Sequence, residues 1–499
     1  MTDVWVGRKD NFAVRNYYER ERATSNQNQV EITNDPHQPQ FVNEDFLVMK
    51  YWRDIPNALY KGNDYLKENT TLYLPKNLGE SNELYELRLR RSVLYNVYGN
   101  FIDKISLIPF RHGVTWGLDV PTKIQDYCQN IDMTGTNLEN WAINFYKDAN
   151  INGISFYLVE NPQLSPNRTL YDDIQEGDLN RPYFVHIPAN NLYGWNYEFN
   201  NGNMELTQIR FVRYVDIQEG AFGVKKYKEY VVYSKDVIQV YRSKLTASSA
   251  EVVELVNVVP NRLGFIPIVT LNLNQLGFMI SKPLYLNLAE LNLRHYQSYS
   301  DQININHYAR VPIMFAKGMN TGSEHETIPI TAGMIIGGPD SGDLKFVEHS
   351  GASINAGMNE IKDIEEKMSI ISGEYYNQKN SSQITATSAI LNKIESGVVP
   401  GANIRILESA INQGFELMRL YDRSIPAFTT GVNLNTEDSI VPETANFQYV
   451  TNMYAQGIID RDTYLKESKR RNILDDDSEL NTSGELPGGL NNRPIDVNQ

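Results

Sequence analysis

Residues 283–299 read Pro-Leu-Tyr-Leu-Asn-Leu-Ala-Glu-Leu-Asn-Leu-Arg-His-Tyr-Gln-Ser-Tyr and predict a helix that runs on to about 308. A second helix is predicted over 352–376, where Ile354, Met358, Ile361, Ile364, Met368 and Ile371 step by three or four residues and form one apolar face. Between the two lie about forty residues of strand-like sequence, with alternating segments at 311–316 and 333–348 set among turns at Gly337, Gly338 and Gly342. Beyond the second helix, residues 377–386 have no periodicity and one large apolar side chain, Ile384. A third helix resumes at about 386 and meets Gly397, Pro400 and Gly401, which are expected to kink it. It continues through Ile404, Leu407, Ile411, Phe415 and Met418 to about Asp422. Helix, β insert, helix, loop, kinked helix is an order hard to reconcile with an enzyme core.

Upstream, residues 1–45 are polar and rich in Asn, Gln and Glu, and read as a mobile arm. Residues 46–70 are expected to be helical, with Phe46, Met49, Trp52 and Leu59 inward. A long helix over 81–107 is predicted from Leu84, Leu87, Leu94, Tyr98, Ile102 and Ile105, capped by Ser81 and ended by Pro109. A short helix over 137–150 turns at Gly153 into a strand over 154–159. The β-rich part is 181–270, with strands at 181–188, 206–215, 228–233, 237–241 and 266–271. After the third helix, 438–474 has a helix–turn–helix outline, with Gly457 closing one helix and Asp460 or Asp462 capping the next. Residues 475–499 are acidic, then rich in Gly, Pro and Asn, and read as disordered. The fold class is α+β.

The chain has 499 residues, length for about two to four domains. Its net charge of −15 excludes a protein that is an electrostatic nucleic-acid binder over its whole surface. The single cysteine, Cys128, rules out an intrachain disulfide and a thiolate metal cluster, and its amphipathic setting with Ile124, Tyr127 and Ile131 reads as core. No signal peptide and no run of about 18 apolar residues occurs, so a cytosol-like compartment and no membrane contact are expected.

Motifs that carry chemistry are scarce in this chain. Gly-Gly-Pro-Asp-Ser-Gly (337–342) has no lysine placed for phosphates and reads as a β-turn. No two of the seven histidines have zinc-helix spacing; His295 and His307 share a helix face, with Glu290 and Asp301 the carboxylates of that helix. Asp475, Asp476 and Asp477 adjoin the tail, and Glu365 and Glu366 are adjacent on an exposed helix side, so neither set converges on a magnesium ion. No Gly-x-Ser-x-Gly elbow is present. No catalysis, cofactor or metal is expected. Two basic clusters, Arg88 with Arg90 and Arg91, and Lys469 with Arg470 and Arg471, could meet DNA or a partner; the plainer reading of the second is pairing with a helix C-terminus. The helix at 352–376 carries Glu360, Asp363, Glu365, Glu366 and Glu374 against Lys362 and Lys367, net −3, and its charged side should face water.

Several stretches, taken in order, resemble the portal-type structural proteins of tailed bacteriophages, in a divergent branch known mainly as a domain of unknown function. They include Tyr-Leu-Pro-Lys-Asn-Leu-Gly-Glu-Ser (73–81), followed by Arg88, Arg91 and Tyr95-Asn96, then Asp-Met-Thr-Gly-Thr-Asn-Leu-Glu-Asn-Trp (132–141) and Asn-Gly-Ile-Ser-Phe-Tyr-Leu-Val-Glu-Asn-Pro (152–162). Arg-Pro-Tyr-Phe (181–184), Asn-Asn-Leu-Tyr-Gly-Trp (190–195) and Gly-Phe-Ile-Pro-Ile-Val (264–269) continue the series. The helix from Pro283 to Tyr299, Arg-Val-Pro-Ile-Met-Phe-Ala-Lys-Gly (310–318) and Gln-Ile-Thr-Ala-Thr-Ser-Ala (383–389) complete it.

The resemblance implies a subunit with an α/β wing at 46–282, stem helices at 283–308 and 351–376, a small β-containing clip at 309–350, and a tunnel loop at 377–386. It also implies a kinked helix and wing return at 387–437, a short α-helical crown at 438–475 and a tail at 476–499. It implies a homo-oligomeric ring, usually of twelve subunits, at one capsid vertex of the virion, assembled in the host cytoplasm. Double-stranded DNA would pass through without sequence specificity during packaging and ejection. The implied partners are the terminase large subunit, which supplies the work, a head–tail adaptor and the major capsid protein. Gln378, Lys379, Asn380, Ser381, Ser382 and Gln383 would be the loop that touches DNA, and Glu360, Asp363, Glu365 and Glu366 a channel wall whose negative potential disfavours phosphate sticking. The alternative is a head–tail connector or another capsid-associated ring protein without a motor-docking role.

Overall fold

A computed structural model describes residues 35–162, 180–245, 251–309, 313–317, 343–347, 351–372 and 386–434, together with single positions at 451, 454, 455 and 464. Of the stretch read as an arm, residues 35–45 fall within it. Gln40 and Val42 are buried there, and Asn43 runs alongside a later strand, donating its backbone amide to the carbonyl of Tyr193 at 3.2 Å.

Helix α1 (Glu44–Lys61) buries Phe46, Leu47, Met49, Ala58 and Leu59, and two short helices follow, α2 (Asn63–Glu68) and α3 (Thr70–Tyr73). The long helix expected over 81–107 is two helices, α4 (Asn82–Arg91) and α5 (Val97–Leu107). Ser81 caps α4 as its position predicts, accepting from the amide of Leu84 at 3.2 Å. The break has a side-chain cause. Ser92 Oγ donates back to the carbonyl of Arg88 at 2.7 Å, Asn96 caps α5 through the amide of Gly99 at 2.8 Å, and Asn63 accepts from the amide of Leu94 at 3.1 Å. These bonds satisfy the backbone groups that a continuous helix would have paired internally.

Strand β1 (Thr115–Trp116) and helix α6 (Thr122–Tyr127) lead to α7 (Leu138–Asn152), which is N-capped by Asn137 and ends at Gly153 in the left-handed conformation, φ +82°. A Cβ at Gly153 would stand 2.5 Å from the carbonyl oxygen of Lys282, so the turn needs glycine for conformation and for space. The chain then enters β2 (Ile154–Glu160), which pairs antiparallel with β3 (Tyr183–Ile187) on one side and β9 (Ile268–Asn272) on the other. Between them β4 (Leu192–Asn200), β5 (Asn203–Glu219), β6 (Gly223–Ser234), β7 (Val237–Leu245) and β8 (Glu251–Pro260) form a five-stranded antiparallel meander. The expected strands at 206–215, 228–233 and 237–241 fall within β5, β6 and β7; β4 and β8 are additional.

Strand β2 separates two cores because both its faces are covered. Ile154, Phe156 and Leu158 point into a cluster with α1, β4, β5 and β6. Tyr157 and Val159 point into another with α6, α7 and the last helix. Cys128 lies in this second core, its thiol pushed up by burial. The two small strands β10 (Gln275–Gly277) and β11 (Ile280–Ser281) close the way to α8 (Leu286–Ala309). Strands β12 (Ile313–Lys317) and β13 (Asp343–Val347) pair antiparallel from Ile313↔Val347 to Lys317↔Asp343. Helix α9 (Ala352–Ile371) returns beside α8, and α10 (Ala386–Tyr421) runs 36 residues before β14 (Val432–Asn433) pairs with β1. The architecture is α+β.

Candidate functional site: the helix pair and the long helix behind it

Helix α8 is unusual for what it buries. Asn292, His295, Ser300 and Gln302 are all buried, and each is used. Asn292 Oδ1 accepts from the amide of Tyr98 at 2.9 Å, and its Nδ2 donates to the carbonyl of Tyr95 at 2.8 Å, so one side chain holds both the linker after α4 and the first turn of α5. Ser300 Oγ lies 2.6 Å from Ser92 Oγ. Gln302 Nε2 donates to the carbonyl of Ile354 at 3.1 Å, at the start of α9. A buried polar group without a partner costs several kcal/mol in an apolar surround, so this set fixes how α8 sits against α4, α5 and α9.

Helix α9 packs on α8 through Ile361, Ile364 and Met368, which are buried; Gly357 sits so close that a Cβ would meet Gln302 Oε1. The flanks of this seam are ionic. Arg294 Nη2 bonds Glu360 Oε1 at 3.0 Å, and His295 Nε2 donates to Glu365 Oε1 at 3.1 Å while its ring stacks on Tyr299 with centroids 5.6 Å apart. Asp363 takes Lys367 at 2.7 Å along the same helix.

Of the four acids expected to line a channel wall, three are engaged in ion pairs. Glu360 and Glu365 belong to the contact between the helices, Asp363 is neutralised at i,i+4, and Glu366 stands without an ion pair among the described residues. The apolar face is also shorter than its periodicity predicts: Met358 and Ile371 are exposed. The described helix ends at Ile371, with Ser372 as its C-cap, so the expected residues 373–376 lie outside the described chain.

Of the other sequence-predicted residues, Gln378, Lys379, Asn380, Ser381, Ser382 and Gln383 lie outside the described residues, as does almost all of 438–475 and the turn at 337–342. Helix α10 is continuous across Gly397, Pro400 and Gly401; Pro400 has no amide to donate there. Its second half is core. Ile404, Leu407, Ile411, Phe415 and Met418 are buried at helical spacing against β2 and β9. Gly414 permits the approach: a Cβ there would press on the Tyr157 hydroxyl and on Phe184 at 2.6 Å, and that hydroxyl donates to the carbonyl of Ala410 at 2.6 Å. The long helix thus ties the segment after the helix pair to the three-stranded sheet.

The basic cluster at the end of α4 is largely structural. Arg88 is buried and bonds Glu80 at 2.9 Å, the carbonyl of Pro75 at 2.9 Å and Asp301 of α8 at 3.4 Å. That guanidinium holds the Glu80 carboxyl below its ordinary range. Arg91 reaches His307 at 3.0 Å, and Arg90 is exposed.

A Ser–His–Asp grouping that sequence reading missed occurs where α7 meets the sheet. Ser155 Oγ donates to Asp148 Oδ2 at 2.6 Å and lies 2.9 Å from His186 Nε2. Here the carboxylate holds the hydroxyl, not the far ring nitrogen, and Asp148 also accepts from the amide of Ala189 at 2.9 Å. Ser155 is fully buried, so the grouping staples α7 to β2 and β3. Among the described residues no three His, Cys, Asp or Glu side chains gather as a metal site, and no helix is long and apolar enough to cross a membrane.

A family model described as a domain of unknown function (DUF4055) matches residues 283–421. That span begins just ahead of α8 and ends with the last residue of α10. No curated protein matches the chain. Among solved structures, the chain is similar to a component of the virion of a native gene transfer agent particle, at 8% identity and TM-score 0.40, over 81% of this chain and 97% of that one. It is also similar to a chain in the neck of a native gene transfer agent particle computed with C12 symmetry, at 8% identity and TM-score 0.41, over 76% and 89%.

Proposed function

We propose that this chain is the portal subunit of a tailed phage: a ring, dodecameric in the closest reading of the resemblance, at one capsid vertex of the virion. The ring gives DNA a passage in packaging and ejection, and its function is geometric, with no catalytic step of its own. The observation that carries this is the order of elements. Two helices of 24 and 20 residues, about 36 and 30 Å long, flank a β hairpin and are followed by a 36-residue helix anchored in the sheet domain. The family match covers this same unit from end to end. In this reading α8 and α9 are the stem, β12 and β13 belong to the clip on which the terminase large subunit docks, and 377–386 is the tunnel loop. The adaptor and the major capsid protein are the remaining partners. Long paired helices favour this over a head–tail connector without a motor-docking role.

With wall acids already paired, the channel-facing side of α9 would carry a milder negative potential than its composition suggests, from Glu366 and the exposed parts of Asp363 and Glu360. Contact with DNA would fall to the polar loop, through transient bonds to the backbone that carry no sequence information. Replacing 378–383 with a short glycine link is expected to leave ring assembly intact and to impair packaging or DNA retention. Normal packaging by that variant would overturn the loop assignment.

A further inference from the structure

The five-stranded sheet is closed at one edge and open at the other. On the β4 side the chain's own lead into α1 covers it. Asn43 donates its amide to the carbonyl of Tyr193 at 3.2 Å and its Nδ2 to the carbonyl of Trp195 at 2.8 Å, and its Oδ1 accepts from the Trp195 amide at 3.3 Å. The Tyr193 hydroxyl donates to the carbonyl of Pro39 at 2.6 Å, so residues 39–43 run along that edge. On the other side β8, ten residues long, pairs with β7 alone among the described residues. The Asn261 amide donates to the carbonyl of Asp236 at 2.8 Å, and the alternation of an antiparallel ladder then turns the amide and carbonyl of Val258 away from β7. Pro260 stands in the same phase, where its missing amide costs no ladder bond. Leu255, Val256 and Val258 are 50%, 44% and 51% exposed. A long edge with outward backbone groups and exposed aliphatic side chains is a template for a further strand.

We propose that residues 29–33 of a neighbouring copy pair with β8 as a sixth strand, so that each chain's N-terminal segment augments the sheet of the next. The occupant is argued from the chain itself. Gln29-Val30-Glu31-Ile32-Thr33 alternates polar and apolar residues and is bounded by Asn34 and Pro36, the pattern of a strand. It lies a few residues ahead of the stretch that closes the β4 edge, so the backbone delivers it to this sheet. Residues 1–34, which lie outside the described residues, hold five basic and five acidic side chains on a chain of net charge −15. The segment therefore meets another copy without adding to the repulsion between them. The open edge is four strand spacings from the closed one, about 19 Å, so copies set side by side bring one chain's segment to the next chain's β8. Strand addition supplies main-chain hydrogen bonds, and Val30 and Ile32 share a strand face, as Leu255 and Val258 do. A segment that reaches out and an edge that receives it are different surfaces of identical chains. The contact is heterologous, and closes a ring or extends a filament. It rests on the ring reading above and names what joins the neighbours.

The test uses the full chain. One batch carries Ile32→Cys, and a second carries Leu255→Cys, Val256→Cys or Val258→Cys; the two are mixed and oxidised, with Cys128 buried away from the reaction. A disulfide-linked dimer is expected from the mixture for at least one of the three positions, and from neither batch alone. Chains carrying both cysteines are expected to give a ladder of linked multimers. Val30→Asp together with Ile32→Asp is expected to raise the half-assembly concentration in sedimentation velocity about tenfold and to leave stability to urea unchanged. A link confined to single chains means that the segment folds back on its own sheet, and overturns the contact. A dimer from the Val258→Cys batch alone means that two β8 edges pair with each other, and overturns it as well. Wild-type rings with no link at any position and no effect of the two aspartates overturn the contact and leave the ring standing. A wild-type chain that does not assemble at any concentration overturns both.

Discussion

His295 of α8 and Glu365 of α9 are bound across the helix pair, imidazole Nε2 to carboxylate Oε1 at 3.1 Å, and the adjacent Arg294 binds Glu360 at 3.0 Å. Neighbouring residues on one helix thus each take an acid from the other, and the seam between them is locked on both flanks. His295 is 2% exposed in its side chain, so its bond is made out of water on one side. Replacing His295 with Ala is expected to destabilise the chain by about 2 kcal/mol, while Glu365→Gln, which keeps an acceptor, should cost less than about 1 kcal/mol. Equilibrium urea unfolding compares the two, and an equal effect would contradict the buried bond.

Arg53 is buried in α1 and donates to the carbonyls of Asn152 at 3.1 Å and Ala189 at 3.0 Å, joining the end of α7 to the loop before β4. Burial lowers its pKa to about 10, an effect that the Asp148 carboxylate offsets only in part. Truncation to Ala leaves two carbonyls unsatisfied and a cavity, so a loss of about 3–5 kcal/mol is expected, with Arg53→Lys losing less. Thermal unfolding of the two variants checks the order.

Gly414→Ala should destabilise by about 1–3 kcal/mol, because the new methyl meets the Tyr157 hydroxyl and Phe184. Removing that hydroxyl in Tyr157→Phe relieves part of the clash. The double variant is expected to be more stable than the sum of the single losses predicts, and strict additivity would contradict the packing.

Asp422 sits at the end of α10. Burial raises its pKa, but hydrogen bonds from Lys123, Ser424 and Tyr127 outweigh this and hold it at about 2. A carboxyl depressed on folding stabilises the protein above its unfolded value near 3.8, and that contribution is lost as pH falls from about 4 to about 2. With solvent screening of this part-exposed pair, about 1 kcal/mol is at stake. Asp422→Asn should flatten the stability profile over that window in acid titrations, and an unchanged slope would assign acid sensitivity to other groups.

Local signals in the sequence were reliable where the cause is local. Ser81 at its cap and Gly153 between α7 and β2 are each set by backbone needs within a few residues. The apolar steps of Ile361, Ile364 and Met368 marked the packed face of α9 for the same reason. What the sequence hid is long-range. The break at 92–96 depends on Asn63 and Asn292, and nothing near Leu94 announces them. Glu360 and Glu365 read as wall acids because their partners lie about seventy residues away, on α8. Strand β8 was not read, because its valines do not alternate strictly with polar residues and so give no strand signal of the usual kind.

The central claim is that α8 and α9 stand in the wall of a ring. Cryo-electron microscopy of the purified assembly, at a resolution that traces helices, measures it directly. The account predicts a closed ring with a central channel, with α9 of every copy turned toward the axis and β12 and β13 at one rim. A ring with the helix pair on its outer circumference, or a chain that forms no ring alone or in capsids, would contradict it.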